Sequence, residues 1–369
     1  MKILLIRLRL VGDVVFTTPA VRALRRRYPE AHIAYLVEAE AASVVRDSPH
    51  LDEVIVAPRR PGWRRLSDDA ALAWRLRQRG FDLVLDFHGG PRSAWLAWTS
   101  GAPRRIGYAI QGRSWMYTDV VARPRELRPR HSVENQWDLL APLEIPRPDP
   151  ARDPVEMSED ARARARVAAT LAAAGVPADA EIVVLHVSAG NPFRRWPAES
   201  YADAAARIAR GGAARRLVFT SGPSDSGAAR RTAAMARTRL GPRLQDRVVL
   251  SDEFDLAELR ALIGRAALFI GGDSGPLHVA ATTGAPVVAV FGPTLAARSR
   301  PWRAPGLVTE VVEPGPLPCR PCEQRRCEPG DFRCLTSIAP ETVAAAAERA
   351  LAIAASVGQA SAAVRSAAG

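Results

Sequence analysis

An acidic side chain stands where the first apolar segment of the sequence gives way to a helical pattern. The segment KILLIR is predicted to be a strand that ends near Leu8, and Gly12 and Asp13 follow it directly before a helix. A carboxylate in this place can cap the helix, or it can take a proton from a hydroxyl group bound beside it. Asp13 is therefore a candidate general base, and the helix-cap interpretation stays open.

A second polar cluster follows an apolar strand in the later part of the chain, within GGDSGPLH. Asp273, Ser274 and Gly275 come directly after the strand, Pro276 suits the first turn of a helix, and His278 lies in the same turn. Free backbone N–H groups and the helix dipole at such a turn attract anions. We predict a diphosphate-binding turn. The alternative is an ordinary strand–helix connection with His278 as a capping or surface group.

A basic loop follows the first predicted strand of the second half, in HVSAGNPFRRWP. Ser188 lies at the start of this polar loop, and Arg194 lies shortly before Trp196, Pro197 and a further helix. An arginine here can neutralise the charge that builds up on a departing diphosphate, because its planar fork binds two phosphate oxygens. A solvated basic loop is the alternative.

All the cysteines lie in one loop rich in proline, glycine and arginine, residues 315–334. Cys319, Cys322, Cys327 and Cys334 supply the four thiolates that a tetrahedral structural zinc requires. Their spacing differs from two paired CxxC motifs, so an iron–sulfur cluster and free or disulfide-linked thiols stay open. We expect the cluster to serve stability rather than chemistry.

The net charge of +12 comes almost wholly from arginine, since Lys2 is the only lysine. A basic balance favours acidic partners, namely nucleic acid, an anionic membrane surface or a phosphorylated substrate. An arginine-rich surface without such a partner is the alternative. The charge is scattered along the sequence and no helix–turn–helix, RRM or zinc-finger pattern accompanies it, so we expect no nucleic-acid partner.

Missing motifs argue against several enzyme classes. No GxGxxG follows the first strand, which argues against a dinucleotide-dependent dehydrogenase, and no HExxH zinc motif is present. With Lys2 as the only lysine, a P-loop is excluded. The segment GDSGP lacks the second glycine of a serine nucleophile elbow and has Pro276 there instead.

The elements that position these residues alternate between short apolar strands and longer helical patterns, such as residues 18–28 and 66–79. Strands that are apolar throughout predict parallel sheets covered on both faces, with ligand sites beyond their carboxyl ends. The predicted strands are KILLIR, HIAYLV, EVIVA, DLVLDF, EIVVLHV, RLVFTS, RVVL, ALFIGG and PVVAVFG. The expected sites therefore fall at residues 8–13, 87–92, 187–196, 221–225, 271–278 and 291–294.

This pattern predicts an α/β protein of two doubly wound, Rossmann-like parallel-sheet domains facing a cleft. Residues 1–157 form the first domain and end in a proline-rich linker, 146–157. Residues 158–339 form the second domain, with the cysteine loop, and residues 340–369 form a closing helix and a flexible tail. Ser158 is the expected N-cap of the helix that opens the second domain. Arg7 and Arg9 interrupt the first apolar run, so we expect no signal peptide and a cytoplasmic protein.

In their order along the chain, these segments resemble glycosyltransferase family 9, the heptosyltransferase family of lipopolysaccharide core assembly. RLRLVGDVVFTTPAVRALRRRYP and GGDSGPLHVAATTGAPVVAVFGPT are nearly literal versions of two family motifs. RRWP at 194–197 is similar to the family's KRWP, and RRIGY at 104–108 to its RIGF segment.

The resemblance implies a GT-B fold and an inverting transfer that requires no cofactor or metal, typically from ADP-L-glycero-β-D-manno-heptose. It implies that Asp13 is the general base and that Arg194 takes the place of the family's phosphate-binding lysine, with the charge kept and the geometry changed. The residues that it places at the donor site, chiefly at the diphosphate, are Asp273, Ser274, Gly275 and His278, and Ser188 of the polar loop is a further donor-site candidate.

The implied acceptor is an acidic glycolipid, a lipopolysaccharide core hydroxyl, which suits the arginine excess and a peripheral contact with the cytoplasmic membrane face. The candidate acceptor-binding side chains of the first domain are Arg7, Arg9, Arg92, Arg104 and Arg105. Two alternatives stay open. One is heptose transfer to a surface protein, and the other is a non-catalytic nucleotide-sugar-binding protein, against which the presence of Asp13 argues.

Overall fold

The computed structural model describes residues 1–60, 62, 64–123, 130–225, 227–250, 253–322 and 326–367 of the chain. The chain separates into two compact units. The first consists of Met1–Ser158 together with Trp302–Ala304, and the second of Glu159–Pro301 together with the chain from Pro305 onwards.

The first unit is built around a sheet whose strands are buried on both faces. Ile3, Leu4, Leu5 and Ile6 in the first strand are completely inaccessible to solvent, as expected where helices cover both sides of a parallel sheet. The described strands are β1 (Lys2–Ile6), β2 (His32–Glu38), β3 (Glu53–Ala57), β4 (Leu83–Asp86), β5 (Arg104–Tyr108) and β6 (Asp119–Val121). All pair in parallel, in the order β3-β2-β1-β4-β5-β6.

The helices of the first unit bury one apolar stripe each. Leu72 and Leu76, one turn apart, pack against Leu4 and Ile6 of β1. The described helices are α1 (Val11–Val15), α2 (Thr18–Arg27), α3 (Ala39–Ala42), α4 (Arg64–Gln78), α5 (Pro91–Thr99) and α6 (Ser132–Trp137), with 3₁₀ turns at Ser114–Met116 and Asp138–Leu143.

The proline-rich stretch predicted to be a linker packs onto the first unit. Asp153 is fully buried, and its carboxylate accepts hydrogen bonds from Arg26 and Arg152. The backbone N–H of Val155 donates to the carbonyl oxygen of Trp302 at 3.1 Å. These contacts bind the stretch to the first unit.

The second unit repeats the architecture of the first. Its described strands are β7 (Glu181–His186), β8 (Arg215–Thr220), β9 (Val248–Val249), β10 (Leu268–Gly272), β11 (Val287–Val290) and β12 (Thr309–Val312), all parallel in the order β12-β11-β10-β7-β8-β9. Its described helices are α7 (Ala161–Ala173), α8 (Ala198–Arg210), α9 (Ala228–Leu240), α10 (Leu256–Arg265), α11 (Gly275–Ala280), α12 (Ala296–Ser299), α13 (Arg333–Thr336) and α14 (Pro340–Ala367), with 3₁₀ turns at Pro192–Arg194, Pro223–Asp225 and Gln245–Arg247. The predicted α/β class with two doubly wound sheets is confirmed.

The prediction that Ser158 caps the first helix of the second unit is wrong. The N-cap is Asp160, whose carboxylate accepts from the N–H groups of Arg162 and Ala163, while the Ser158 hydroxyl donates to the carbonyl of Asp47. A carboxylate competes well with a hydroxyl for the positive end of a helix. Helix α14 extends to Ala367, and the flexible tail stays a prediction.

Both sheets contain one point at which the strand order reverses. In the first unit it lies between β1 and β4, and in the second between β7 and β10. Loops that leave such neighbouring strands at their carboxyl ends diverge and form a crevice, which is where doubly wound sheets bind ligands. Within the described residues, no helix has the length and apolar character needed to span a bilayer.

Candidate active site

In the first unit, Asp13 and Arg7 meet at the carboxyl end of β1. The carboxylate of Asp13 accepts a hydrogen bond from the guanidinium of Arg7, whose Nη1 also donates to the carbonyl oxygen of Phe87 at 2.7 Å. The N-cap of helix α1 is Leu10, with φ at 69°, and no side chain caps that helix. The helix-cap interpretation of Asp13 is therefore wrong, and its carboxylate is held at the reversal point by Arg7.

The backbone of Asp13 is fixed separately from its side chain. Gln136 is buried on α6, and its Nε2 donates to the carbonyl oxygen of Asp13 at 3.2 Å. The Oε1 atom of Gln136 and the Nε atom of Arg7 are buried and have no hydrogen-bond partner among the described residues. Polar atoms around Asp13 thus retain hydrogen-bonding capacity that a ligand can use.

His88 also belongs to this site, although the sequence singled out only the strand end that contains it. It follows β4, and burial, with smaller contributions from the charges of Arg7 and Arg9, lowers the pKa of its imidazole to about 4. Its Nδ1 is buried without a described partner, and a methyl group at Gly90 would lie 2.8 Å from its Cδ2 atom. At neutral pH His88 is therefore an uncharged hydrogen-bonding group beside Asp13. The sequence signal that could have identified His88 is its position shortly after β4, the strand that pairs with β1.

The other arginines predicted to bind the acceptor differ in what they contact. Arg9 is exposed and makes no hydrogen bond or ion pair with a described residue. Arg92 is largely buried and pairs with Glu38 at 2.8 Å and Asp69 at 2.6 Å. Arg104 pairs with Asp119 at 3.0 Å. The contacts of Arg92 and Arg104 indicate structural roles, and their acceptor role stays a prediction.

Arg105 lies at the amino end of β5, away from the strand ends that carry Asp13 and His88. Its Nε donates to the carbonyl oxygen of Met116 at 2.8 Å and its Nη1 to that of Ala102 at 2.5 Å. The acceptor role predicted for Arg105 stays a prediction as well.

In the second unit, Asp273 is the centre of a hydrogen-bonded cluster at the carboxyl end of β10. Its buried carboxylate accepts from Thr294 Oγ1 at 2.6 Å and Ser299 Oγ at 3.1 Å. Arg194 Nη1 lies 3.0 Å from the same carboxylate, and His278 Nε2 lies 3.7 Å from it. The structure therefore brings Arg194, which belongs to the separate basic loop, together with Asp273 and His278 of the turn after β10.

A glycine allows the basic loop to approach the turn after β10. A Cβ atom at Gly272 would lie 3.1 Å from the carbonyl oxygen of Arg194, so a larger residue would require the loop backbone to shift by a few tenths of an ångström. Trp196 anchors the loop, because its indole is buried and its Nε1 donates to the carbonyl of Ile338 at 3.1 Å. The loop is thus held with part of the Arg194 side chain exposed.

The two predicted serines have different environments. Ser188 Oγ accepts from the N–H of Gly222 at 2.7 Å and lies 3.2 Å from His186 Nε2, so it ties together the loops after β7 and β8. Ser274 is the N-cap residue of α11, with Pro276 in the first turn as predicted, and its buried Oγ has no described hydrogen-bond partner. Of the two, Ser274 retains hydrogen-bonding capacity for a ligand.

The four cysteines are free thiols that lie near one another. Burial and the neighbouring Cys319, Cys327 and Cys322 raise the pKa of the Cys334 thiol. Among the described residues, no three metal-ligating side chains converge closely enough to hold an ion. The loop also reaches the Asp273 cluster, because Arg320 donates to the carbonyl oxygen of Thr294 at 2.8 Å.

The fold and these residues define a class of protein. Two doubly wound, Rossmann-like sheets with polar side chains at their reversal points are consistent with the GT-B architecture of glycosyltransferases. A model of glycosyltransferase family 9 (heptosyltransferase) matches residues 70–330. The chain belongs to this family.

Relatives in sequence and structure agree with this assignment. Lipopolysaccharide heptosyltransferase 3 of Escherichia coli is 27% identical over 301 residues, which cover 80% of this chain and 84% of the relative. Lipopolysaccharide heptosyltransferase 1 of Pseudomonas aeruginosa is 26% identical over 345 residues, 89% of this chain and 87% of the relative.

Solved structures show the same fold. The family 9 glycosyltransferase of Veillonella parvula matches with a TM-score of 0.78 at 23% identity, over 95% of this chain and 97% of the other. E. coli ADP-heptose lipopolysaccharide heptosyltransferase II matches with a TM-score of 0.74 at 21% identity, over 95% and 98%. The iron-containing dodecameric glycosyltransferase TibC of enterotoxigenic E. coli matches with a TM-score of 0.54 at 14% identity, over 95% and 76%.

Proposed function

We propose that this glycosyltransferase moves a heptose from ADP-heptose to a hydroxyl group of a lipopolysaccharide core. The names of the relatives in sequence support the sugar and the acceptor, and the E. coli heptosyltransferase II structure supports the donor. The observation that carries the proposal is the carboxylate of Asp13, oriented by Arg7 at the reversal point of the first sheet.

In the proposed reaction, Asp13 acts on the acceptor. The acceptor oxygen attacks the anomeric carbon of the heptose while its proton passes to the carboxylate of Asp13. Because a neutral sugar hydroxyl is a poor nucleophile, a positioned base of this kind contributes roughly 10²–10⁴-fold to the rate. Arg7 fixes the direction of the carboxylate, and the neutral His88 offers a hydrogen bond to a second sugar hydroxyl.

On the donor side, the bond between the anomeric carbon and the diphosphate oxygen breaks as the new glycosidic bond forms. Attack from the face opposite the diphosphate inverts the anomeric configuration. The charge that develops on the departing ADP is stabilised by Arg194 and by the turn from β10 into α11, where the Ser274 hydroxyl is available. Asp273 keeps Arg194 in place between turnovers.

On the acceptor side, two arginines fit an acidic core oligosaccharide. Arg9 has an exposed guanidinium beside His88 that pairs with no described residue, and the Nε of Arg7 is buried without a described partner. Arginine binds phosphate and carboxylate groups through paired hydrogen bonds. We therefore propose Arg9 as the main residue that binds the acidic groups of the acceptor.

The test is transfer measured by mass spectrometry with a panel of nucleotide sugars and a lipopolysaccharide core acceptor. We expect product with ADP-heptose, and we expect Asp13→Asn to lose roughly 10²–10⁴-fold in kcat while still binding ADP in calorimetry. Asp47→Asn, which changes an exposed carboxylate of the same unit, is the matched control and keeps the wild-type rate. Wild-type turnover by Asp13→Asn would remove Asp13 as the base, and turnover with another nucleotide sugar alone would exclude ADP-heptose.

We further propose that transfer itself needs no metal and that the cysteine loop supports the donor turn. The loop holds Arg320, which donates to Gly292 and Thr294, and Thr294 in turn donates to Asp273. The four thiols lie near one another, but the described residues bring no three metal-ligating side chains together, so zinc, and iron as in the iron-containing relative, are hypotheses for this loop.

Two measurements test this part of the proposal. Activity is expected to survive chelation by EDTA, and loss restored by magnesium or manganese would contradict metal-independent transfer. Elemental analysis of the purified chain identifies zinc or iron. If neither metal is present, the cysteines serve as thiols.

A further inference from the structure

Three tryptophan side chains are exposed together on the first unit. Trp74, Trp98 and Trp115 are 65%, 44% and 61% exposed, and no other tryptophan in the described part of the chain is exposed to this degree. Trp74 and Trp98 line one shallow depression together with Arg77 and Arg105. The rings of Trp98 and Trp115 meet edge to face, with their centroids 5.3 Å apart. We name these five residues the tryptophan patch.

Core packing does not explain the patch. Helix α4 already buries Leu72, Ala73 and Leu76 against the sheet, and Trp74 projects to the opposite side. Single exposed apolar residues are ordinary, but a contiguous group of large aromatic side chains marks a surface that meets a partner.

The patch carries positive charge that the described residues do not neutralise. Arg77 makes no hydrogen bond or ion pair with any of them, and its guanidinium lies over Gly101. The guanidinium of Arg105 donates to the backbone carbonyls of Ala102 and Met116 and pairs with no described carboxylate. No described residue that lines the depression is acidic.

The nearby acids of helix α4 are already paired. Asp68 pairs with Arg60, and Asp69 pairs with Arg92 at 2.6 Å. The charge of Arg77 and Arg105 is therefore available to an anionic partner.

These properties decide between the candidate partners. A second copy of the chain, docked through the same patch by a two-fold axis, would bring the arginines of one patch against those of the other at a cost in free energy. An anionic bilayer complements both the positive charge and the aromatic side chains of the patch. Its headgroups neutralise guanidinium groups, and its interfacial region accepts indoles, which have an apolar body and a polar N–H.

We propose that the tryptophan patch docks the first unit onto an anionic phospholipid bilayer as a peripheral contact. The indoles enter the headgroup region, and Arg77 and Arg105 pair with lipid phosphates. The inference does not depend on the sugar or the acceptor, because binding to bare lipid requires neither. Its failure and the failure of the proposed transfer reaction are therefore distinguishable.

The test is cosedimentation of the full chain with vesicles of phosphatidylcholine alone and of phosphatidylcholine mixed with phosphatidylglycerol. We expect binding to the anionic vesicles, weakened by added salt because the attraction is screened. Arg77→Glu should lower the affinity about fivefold or more, since each basic side chain near such a surface contributes about that factor. Trp98→Ala should also lower it.

Matched controls lie on the second unit. Arg162→Glu reverses an exposed charge and Leu250→Ala truncates an exposed apolar side chain, and both should bind vesicles as the wild type does. Circular dichroism and the thermal midpoint show that each variant is folded. Loss of binding confined to the patch variants supports the proposal.

Three outcomes with vesicles overturn the proposal: absence of wild-type binding to anionic vesicles, equal binding to neutral ones, and undiminished binding by both patch variants. A fourth outcome, measured in solution, also overturns it. If light scattering shows a dimer that Trp98→Ala dissociates, the patch is an interface between copies, and the bilayer proposal is wrong.

Discussion

Arg7 orients Asp13 by connecting the ends of two neighbouring strands. One guanidinium nitrogen of Arg7 donates to the Asp13 carboxylate, and another donates to the carbonyl of Phe87 directly after β4, at 2.7 Å. Because β1 and β4 lie side by side at the reversal point, this arginine fixes the carboxylate relative to both strand ends. A base that must meet a hydroxyl at hydrogen-bonding distance depends on such support.

We therefore expect Arg7→Ala to lower kcat about tenfold to a hundredfold, since a misplaced catalytic group costs up to about that factor. The donor KM should not change, because the donor groups lie on the second unit. Arg7→Lys keeps one charged donor and should recover part of the rate. Steady-state kinetics with both substrates separates kcat from KM. A wild-type kcat in Arg7→Ala would show that Asp13 needs no such support.

The sequence could predict Asp13 but not its partner. The strands β1 to β4 have continuous apolar runs with clear ends, so the position of Asp13 after β1 followed directly. Leu10, which lies between Arg7 and Asp13 in the sequence, has φ 69°, a conformation that nothing in a leucine side chain signals. Strands β5 and β6 escaped prediction because β5 begins with two arginines and β6 has only three residues.

For the donor site, we expect Arg194→Ala to weaken ADP binding about tenfold to a hundredfold, because one charge-assisted hydrogen bond contributes about that factor to affinity. Arg194→Lys keeps the charge and should bind ADP with intermediate affinity. Arg210→Ala, which removes another arginine of the second unit, should have no effect on binding. Isothermal titration calorimetry measures all three. Unchanged ADP affinity in Arg194→Ala, together with a lower thermal midpoint, would mean that Arg194 serves only as the partner of Asp273.

This pairing was not predictable either, although both segments were. In the sequence, Arg194 follows β7 and Asp273 follows β10, so strands β8 and β9 and helices α8, α9 and α10 lie between them. Only the strand order, which makes β7 and β10 neighbours, brings the two loops together. Gly272 then permits the close approach of the loop backbone.

The free energy of unfolding should fall as the pH is lowered, because His186 takes up a proton in the unfolded chain while it stays neutral in the folded chain. His186 lies between Thr220 Oγ1 at 3.0 Å and Ser188 Oγ, and burial lowers the pKa of its imidazole to about 4, from an ordinary value near 6.5. Between these values the unfolded chain binds the proton and the folded chain does not. The contribution of neutral His186 is therefore complete above about pH 6.5 and is lost towards pH 4, by about 1–3 kcal/mol.

His186→Gln removes this titration and keeps a polar group between the two hydroxyls. Urea unfolding at several pH values, compared between wild type and variant, cancels the other titrating groups. We expect the wild type to lose more stability than His186→Gln between pH 6.5 and 4. Parallel profiles for the two proteins would show that His186 is protonated equally well in the folded and unfolded chains.

Gly107 in β5 should tolerate no side chain, because the ring of Tyr117 occupies the space. A Cβ atom at Gly107 would lie 2.3 Å from Tyr117 Cε1, and the hydroxyl of Tyr117 donates to the buried Asp86 at 2.7 Å. Asp86 in turn accepts from the backbone N–H of His88 at 2.9 Å, so the clash reaches the loop beside the active site. We expect Gly107→Ala to lower the free energy of unfolding by about 2–4 kcal/mol, from overpacking and the strained hydrogen bond together.

A double-mutant cycle with Tyr117→Ala tests the cause of this loss. If the clash with the ring is responsible, Gly107→Ala should cost little in the Tyr117→Ala background, and the two effects should not add. Gly284→Ala is the control, because a Cβ atom there meets no atom within 4 Å, and it should change stability by less than about 0.5 kcal/mol. Additive losses in the cycle would show that Gly107 is required by the backbone of β5 and not by Tyr117.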